Sequence, residues 1–304
     1  MQPNRRRVLQ GIAAVSAAGL PRRLRAQGAA PARKAIPSTG ETIPVVGLGT
    51  WITFNVGDDS VLRDESADVM AAFFEAGGRV IDSSPMYGSS QDVISYGLER
   101  TGTPEDLFAA DKVWTSSPAE GRAQMDESRR LWGIERFDLM QVHNLVAWQA
   151  HLETLFEMKA ARSLRHVGIT TSENRRLELF EEIMAGQPLD FVQVTYNVVD
   201  RRVEERILPL ARERGIAVMV NRPFRQGGLI RRLEGAPLPP WAGEIEAETW
   251  AQFILKFIVS HPDVTVAIPA TTRVDHVREN MAAGLGPFPD DAMRRAMAAY
   301  VRDL

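Results

Sequence analysis

From Ile43 onward, short apolar runs rich in β-branched residues alternate with longer amphipathic segments. Short apolar runs of this kind predict buried strands, and the longer segments have the apolar spacing of helices packed on a sheet. Strands are predicted at residues 45–48, 80–82, 107–112, 138–142, 167–169, 191–194, 216–220 and 264–268. Helices are predicted between them at residues 66–76, 90–100, 119–132, 148–160, 173–185 and 203–214.

Strands that alternate with helices pair in parallel through right-handed crossovers. Eight such units in about 270 residues match a (β/α)8 TIM barrel, which is the predicted α/β fold class. The alternative is an open doubly wound sheet with a Gly-x-Gly-x-x-Gly turn. Only Gly47 and Gly49 are present at the first turn, so that alternative is rejected. An N-terminal β-hairpin is predicted at residues 35–42, and a long loop at residues 222–243.

The first thirty residues have a different composition from the rest. Arginines at positions 5–7 precede a short apolar run at 11–20, and small residues follow near Ala26. This order is typical of a secretory signal peptide, and the paired arginines resemble a twin-arginine signal. The apolar run is too short to span a membrane. We predict a signal peptide at 1–30, cut near Ala26, and a single barrel domain at 31–304.

This organisation predicts a periplasmic protein that the twin-arginine export machinery carries in its folded form. The alternative is a cytoplasmic protein with a disordered basic tail. The net charge of -3 gives no electrostatic basis for binding nucleic acid, so a small molecule is the expected partner. The chain has no cysteine, which excludes disulfides, thiolate metal ligands and a cysteine nucleophile. No acidic cluster suggests a metal site, and none is predicted.

Ionisable residues stand at the ends of three successive predicted strands. TIM barrels carry their reactive groups at the C-terminal ends of the strands. Here the second, third and fourth strands end at Asp82, Lys112 and His143, and Tyr87 follows in the loop after Asp82. Singly, each has a structural explanation, such as a turn cap, a surface ion pair or a buried histidine. Their shared placement, in a chain with only four tyrosines and five histidines, favours one reactive site.

These four residue types suit the reduction of a carbonyl group. A carbonyl that accepts a hydride develops negative charge on its oxygen and needs a proton there. Free tyrosine, with a pKa of about 10, is a weak acid near neutrality. We expect Lys112 to lower the pKa of Tyr87, and Asp82 to keep the buried lysine charged. His143 is expected to orient the carbonyl through a hydrogen bond.

Residues 81–88, Ile-Asp-Ser-Ser-Pro-Met-Tyr-Gly, strongly resemble the motif of the aldo-keto reductase family, in which an acid precedes the proton-donating tyrosine by five positions. Residues 109–113 and 140–144 are similar to that family's lysine and histidine strands, and the resemblance continues through residues 268–280. It implies NAD(P)H-dependent reduction of an aldehyde or ketone, or the reverse oxidation. It also implies a nicotinamide cofactor lying across the barrel mouth.

The resemblance also implies a set of cofactor contacts. It places residues near the nicotinamide ring and its carboxamide, and it places the adenosine phosphates at a helix N-terminus. The implied contacts are Gly49, Thr50, Trp51, Asp82, Thr170, Gln193, Pro223, Thr271, Thr272, Arg273, Glu279 and Asn280.

Three parts of the sequence depart from the family pattern. Thr170 and Thr171 replace a common Ser-Asn pair, and Asn221 and Arg222 stand where a nicotinamide-stacking aromatic residue is usual. The basic residues that usually bind the 2′-phosphate of NADP are missing, and Arg273, with His276 beside it, is the remaining candidate for that contact. The presence of these two side chains predicts NADP in preference to NAD.

Two alternative functions remain open on the same fold. The first is a dinucleotide-binding sensor or accessory protein with little turnover, suggested by the missing aromatic residue and by the predicted export. The second is a lyase or isomerase that uses the Lys112 amine to form a Schiff base.

Overall fold

The computed structural model describes residues 30–304 of the chain. The predicted signal peptide at 1–30, with its arginines and its cut near Ala26, lies outside the described residues apart from its last position. The strands are β1 (Arg33–Ala35), β2 (Thr42–Pro44), β3 (Leu48–Gly49), β4 (Val80–Asp82), β5 (Phe108–Val113), β6 (Leu139–Val142), β7 (His166–Thr170), β8 (Phe191–Thr195), β9 (Ala217–Asn221) and β10 (Val266–Ala267). The α-helices are α1 (Ser60–Glu75), α2 (Ser90–Thr101), α3 (Pro118–Trp132), α4 (Trp148–Ala160), α5 (Leu177–Gly186), α6 (Ile207–Arg214), α7 (Gly228–Leu233), α8 (Trp250–Val259), α9 (Val274–Ala282) and α10 (Asp291–Asp303). Short 3-10 helices occupy His143–Leu145, Arg202–Glu204 and Pro240–Ile245.

Strands β3 to β10 pair in parallel in chain order and form an eight-stranded sheet. The sheet closes on itself where β3 meets β10. There Gly47 N donates to Ala267 O at 2.8 Å, Ala267 N donates to Val45 O at 2.9 Å, and Gly49 N donates to Pro269 O at 3.0 Å. The predicted (β/α)8 TIM barrel is therefore confirmed. No helix within residues 30–304 is long and apolar enough to cross a membrane.

The two glycines at the seam have a packing role in the barrel. A Cβ atom on Gly49 would lie 2.8 Å from the carbonyl oxygen of Ile268, and one on Gly47 would lie 2.9 Å from that of Val80. Such contacts are too short for a real side chain, so both positions need glycine. The incomplete Gly-x-Gly pattern thus reflects barrel closure rather than a dinucleotide-binding turn.

The predicted hairpin is present and covers the N-terminal end of the barrel. Strands β1 and β2 pair antiparallel, with Lys34 opposite Ile43. Ile36 and Ile43 pack into an apolar cluster with inward-facing strand residues. The other members of this cluster are Val80, Phe108, Ala110, Leu139, Phe191, Ala217, Met219, Val266 and Ile268. The hairpin therefore closes the end opposite the strand termini that carry the ionisable residues.

Helix α1 begins at Ser60, earlier than the predicted start at residue 66. The Asp59 carboxylate accepts hydrogen bonds from the amides of Val61 and Leu62, which caps the helix. The first turn lies at the surface with Val61 and Leu62 exposed, and the buried face of the helix begins only at Ser66, where the predicted helix started. Further along, Val69 and Phe73 lie on the buried face at helical spacing.

The prediction of a plain loop at residues 222–243 is wrong. Helix α7 and the 3-10 turn Pro240–Ile245 lie within or across this segment, and Leu229, Leu233 and Ile245 are buried. Glycine, proline and arginine dominate the local composition, so the few buried apolar residues produce no helical pattern in the sequence. The predicted helix at residues 203–214 is likewise divided into a 3-10 turn and α6.

Candidate active site

The C-terminal ends of β4, β5 and β6 meet at one side of the barrel mouth. Asp82 is the last residue of β4, Lys112 is next to the last in β5, and His143 follows β6 directly. A cavity of about 440 Å³ opens there, and Asp82, Tyr87 and His143 line it. Lys112 lies behind the cavity wall and is fully buried. The structure thus brings the four residues together.

Asp82 and Lys112 form a buried ion pair. Lys112 Nζ lies 2.6 Å from Asp82 Oδ2 and also donates to the carbonyl oxygen of Ser83 at 2.7 Å. The other carboxylate oxygen of Asp82 accepts hydrogen bonds from Gln193 Nε2 at 2.9 Å and Gln141 Nε2 at 3.2 Å. Although burial alone lowers the pKa of Lys112, the Asp82 carboxylate keeps that pKa above its ordinary value. The lysine therefore stays charged.

Tyr87 lies between the lysine and the histidine. Its ring centroid is 5.0 Å from Lys112 Nζ and 5.8 Å from the His143 ring, which stands nearly perpendicular to it. Burial raises the pKa of Tyr87, and this effect outweighs the lowering by Lys112. Our expectation of a lowered pKa holds for the lysine contact alone and is wrong for the net value. The phenol keeps its proton at neutral pH, as a proton donor must.

His143 is neutral and has a defined hydrogen-bond partner. Burial and the charge of Lys112 lower the pKa of His143 to about 3. Its Nδ1 atom lies 2.9 Å from Ser84 Oγ, which also accepts from the Met86 amide at 3.3 Å. When the Ser84 hydroxyl donates to Nδ1, the imidazole proton stands on Nε2, from where it can donate to a bound oxygen.

Most of the predicted cofactor contacts line the same cavity. The lining members are Gly49, Thr50, Trp51, Asp82, Thr170, Gln193, Pro223, Thr271, Thr272 and Arg273. Two do not line it: Glu279 and Asn280 lie further along α9, where Asn280 is buried and Glu279 half-buried. No group of three histidine or acidic side chains within residues 30–304 is placed to hold a metal ion.

Two of these predicted contacts already bind protein groups. Gln193 donates to Asp82 through Nε2, and its Oε1 accepts from Asn221 Nδ2 at 3.3 Å. Thr170 Oγ1 accepts from the Asn144 amide at 3.1 Å. Asn221, which the sequence showed only as a missing aromatic residue, thus supports Gln193 from the end of β9. A carboxamide bound here would therefore form hydrogen bonds with groups that already have hydrogen-bond partners in the protein.

Arg222 lines the cavity, although the sequence pattern predicted no contact for it. Its guanidinium carbon lies 5.1 Å from the centroid of the Trp51 ring. The guanidinium also pairs with Glu173 Oε1 at 2.9 Å and donates to Ser172 Oγ at 2.8 Å. One side chain therefore connects the loops that follow β3, β7 and β9. In the sequence, Arg222 is visible only as an arginine directly after a strand, and the composition of the loop does not indicate which residues it contacts.

Arg273, the predicted contact for the 2′-phosphate, already has an anionic partner. Its guanidinium pairs with the Asp275 carboxylate at 2.5 Å, and both side chains are largely exposed. His276 Nδ1 lies 3.3 Å from Thr271 Oγ1 at the same end of α9. The arginine therefore faces the cavity with its charge partly balanced.

Comparisons with known proteins agree with this geometry. The model of the Aldo/keto reductase family matches residues 45–300. The methylglyoxal reductase YeaE of Escherichia coli is 26% identical over 259 residues, which cover 82% of this chain and 89% of that protein.

Solved structures show the same fold. An aldo/keto reductase from Klebsiella pneumoniae, in complex with NADP and acetate, superposes with a TM-score of 0.71 at 21% identity over 86% of this chain and 93% of its own. The aldo-keto reductase AKR11C1 from Bacillus halodurans gives a TM-score of 0.73 at 20% identity, covering 89% and 96%. Because the family model spans the barrel, including Tyr87 and the three strand-end residues, this chain belongs to the aldo/keto reductase family of oxidoreductases.

Proposed function

We propose that this enzyme reduces an aldehyde or ketone to the alcohol, and oxidises the alcohol in reverse, with Tyr87 as the proton donor. One observation carries the proposal. A protonated phenol and a neutral imidazole line the same cavity, and a buried Lys112–Asp82 ion pair lies directly behind the phenol. This is the arrangement that a developing oxyanion requires.

Each residue has a separate part in the proposed reaction. NADPH, when bound in this cavity, would supply the hydride that the carbonyl carbon accepts. The Nε2 proton of His143 donates a hydrogen bond to the carbonyl oxygen and orients it. As negative charge grows on that oxygen, the Tyr87 proton passes to it, and the nearby Lys112 cation stabilises the phenolate that remains. Asp82 balances the lysine charge and holds the ammonium group in place.

We propose NADP as the cofactor. The hydroxyls of Thr271 and Thr272, the Arg273 guanidinium and the first turn of α9 meet at one edge of the cavity that contains Tyr87. Free amides at a helix N-terminus, with a guanidinium beside them, suit phosphate groups. A similar structure from Klebsiella pneumoniae is a complex with NADP, which supports the same choice.

Asp275 is expected to weaken this preference, because its carboxylate competes with a 2′-phosphate for Arg273. Asp275→Asn should therefore tighten NADPH binding about threefold and leave NADH binding unchanged. Asparagine retains the oxygen that accepts from the His276 amide, so the helix start is preserved. The measurement is quenching of tryptophan fluorescence on titration with each cofactor, since Trp51 lines the cavity.

A matched control is Asp303→Asn, which removes an exposed carboxylate that pairs with Arg302 at the end of α10. It should change neither affinity. An equal change for NADPH and NADH in Asp275→Asn, or weaker NADPH binding, would show that Arg273 does not meet the 2′-phosphate.

The proposed function itself is tested by single-turnover stopped flow. The enzyme is saturated with NADPH and mixed with a panel of carbonyl compounds, including methylglyoxal, the compound in the name of the E. coli relative. Loss of one NADPH per enzyme with formation of the alcohol is expected. Binding of NADPH without oxidation across the panel would favour the sensor alternative. Borohydride trapping of a substrate on Lys112 would favour the Schiff-base alternative.

We also propose that the protein is exported to the periplasm by the twin-arginine machinery. The support is the order of basic, apolar and small residues at positions 1–30. Fractionation of cells that produce the full chain should recover it in the periplasm. Lysine in place of the three arginines at positions 5–7 should keep it in the cytoplasm, and an unchanged distribution would contradict the proposal.

A further inference from the structure

Asp111 is a fully buried carboxyl group to which the proposed reaction gives no part. It directly precedes Lys112 in β5, and successive strand residues point to opposite faces of the sheet. Lys112 points into the barrel towards Asp82, whereas Asp111 contacts Gln91 of α2 on the outer side. Carboxyl groups are rarely fully buried, because removing a charge from water costs free energy.

The contacts of Asp111 are neutral. One carboxyl oxygen accepts from the Lys112 amide at 2.7 Å, and the other accepts from Gln91 Nε2 at 2.6 Å. The same Gln91 nitrogen donates to Ser128 Oγ of α3 at 2.8 Å. Within residues 30–304 no arginine or lysine side chain forms an ion pair with Asp111. Its charge is therefore uncompensated by direct contact.

These contacts connect Asp111 to the reactive residues by a second route. Ser90, which precedes Gln91 in α2, has its hydroxyl 2.9 Å from that of Ser83. The Ser83 carbonyl accepts from Lys112 Nζ at 2.7 Å. The first turn of α2 thus ties the end of β4 to the segment of β5 that carries Lys112. A change at Asp111 would therefore affect both Lys112 on β5 and the end of β4, where Asp82 and Ser83 lie.

We propose that Asp111 is a positioning residue for Lys112, and that its gain or loss of a proton controls how readily Tyr87 donates one. The inference rests on the carbonyl reduction proposed above. Asp111 touches neither the cavity nor Tyr87, so it acts through the lysine and through its charge.

The direction of the effect follows from the charges around Asp111. Burial raises the pKa of Asp111 to about 7, against the lowering effect of Lys112. The ionised groups that face it are Lys112 on its own strand and Asp82 on β4, whereas α2 and α3 present neutral Gln91 and Ser128. Below about pH 7 Asp111 is neutral. Above it, the new negative charge raises the pKa of Tyr87 and Lys112.

A phenol that holds its proton more tightly is a weaker acid. Reduction should therefore slow on the order of threefold as the pH rises through about 7. Asp111→Asn cannot ionise, so its single-turnover rate should stay level across that range. Ser128→Ala leaves the carboxyl group in place and should keep the step. Gln91→Leu removes a hydrogen bond that lowers the pKa of Asp111, and should move the step to higher pH.

Two readouts do not depend on turnover and separate this inference from the proposed function. The infrared band of a protonated carboxyl group should disappear near pH 7 in the wild type and be missing from Asp111→Asn. The ultraviolet titration of Tyr87, measured against Tyr87→Phe, should shift to lower pH in Asp111→Asn. A persistent rate step in Asp111→Asn, no titrating band in the wild type, or an unshifted Tyr87 titration would overturn the inference. An enzyme that reduces no carbonyl but shows both spectroscopic changes would overturn the proposed function alone.

Discussion

Replacing Tyr87 by phenylalanine is expected to slow hydride transfer about a thousandfold while leaving NADPH affinity within about twofold of the wild type. The variant loses the proton donor but keeps the ring, which packs edge-on against His143 and lies above Lys112. Without a proton the carbonyl oxygen would carry full negative charge in the transition state. The measurement combines single-turnover stopped flow with a fluorescence titration of NADPH.

Tyr96→Phe is the matched control for this substitution. The Tyr96 hydroxyl donates to Asp64 on the outside of the barrel and does not line the cavity. Loss of the same atom there should leave the rate unchanged. A Tyr87→Phe rate within tenfold of the wild type would show that another group supplies the proton, and the assignment of Tyr87 would fail.

The sequence predicted the barrel and the meeting of four side chains because both depend on strand order. Asp82, Lys112 and His143 occupy strand ends, and parallel strands in a closed barrel bring such ends to one face. Tyr87 lies in the first loop after β4, and this short connection to Asp82 keeps its side chain close to the other three. These relations follow from topology, which the alternation of strands and helices encodes directly.

Other properties depend on packing, which the sequence pattern does not contain. The direction of the net pKa shift of Tyr87 is one such property, because burial of the phenol outweighs the lysine charge. The partners of Arg222 are another, since they come from three separate loops. The local composition near residue 173 predicted a helix there, but Glu173 and Asn174 adopt positive φ angles and α5 begins only at Leu177. Tertiary contacts decide such positions.

The same distinction applies to Asp111, for which the sequence pattern predicts no role. In the sequence it is an acid next to a lysine, and a surface ion pair is the ordinary interpretation of such neighbours. The structure points the two side chains to opposite faces of β5. Their proximity in the chain therefore produces no ion pair, and Lys112 contacts the Asp111 carboxylate through its backbone amide rather than through its side chain.

Exchange of Lys112 for methionine is expected to abolish reduction and to lower the free energy of unfolding by about 3–5 kcal/mol. Methionine fills similar space but leaves the Asp82 carboxylate buried with, among residues 30–304, only the amides of Gln141 and Gln193 as partners. The cost is that of an uncompensated buried charge. Urea denaturation measures the stability, and single-turnover stopped flow measures the reaction.

The double variant Lys112→Met with Asp82→Asn separates the stabilising role of the lysine from its chemical role. With both charges removed, most of the lost stability should return, because a neutral pair in place of a buried ion pair is often nearly as stable. Reduction should stay abolished, since the Tyr87 phenolate would still have no cation beside it. Lys34→Met is a useful comparison: Lys34 Nζ binds three backbone carbonyls far from the cavity, so its loss should lower stability without changing the rate of hydride transfer. A double variant as unstable as Lys112→Met would attribute the loss to packing, and an active double variant would show that Tyr87 donates its proton without help from the Lys112 charge.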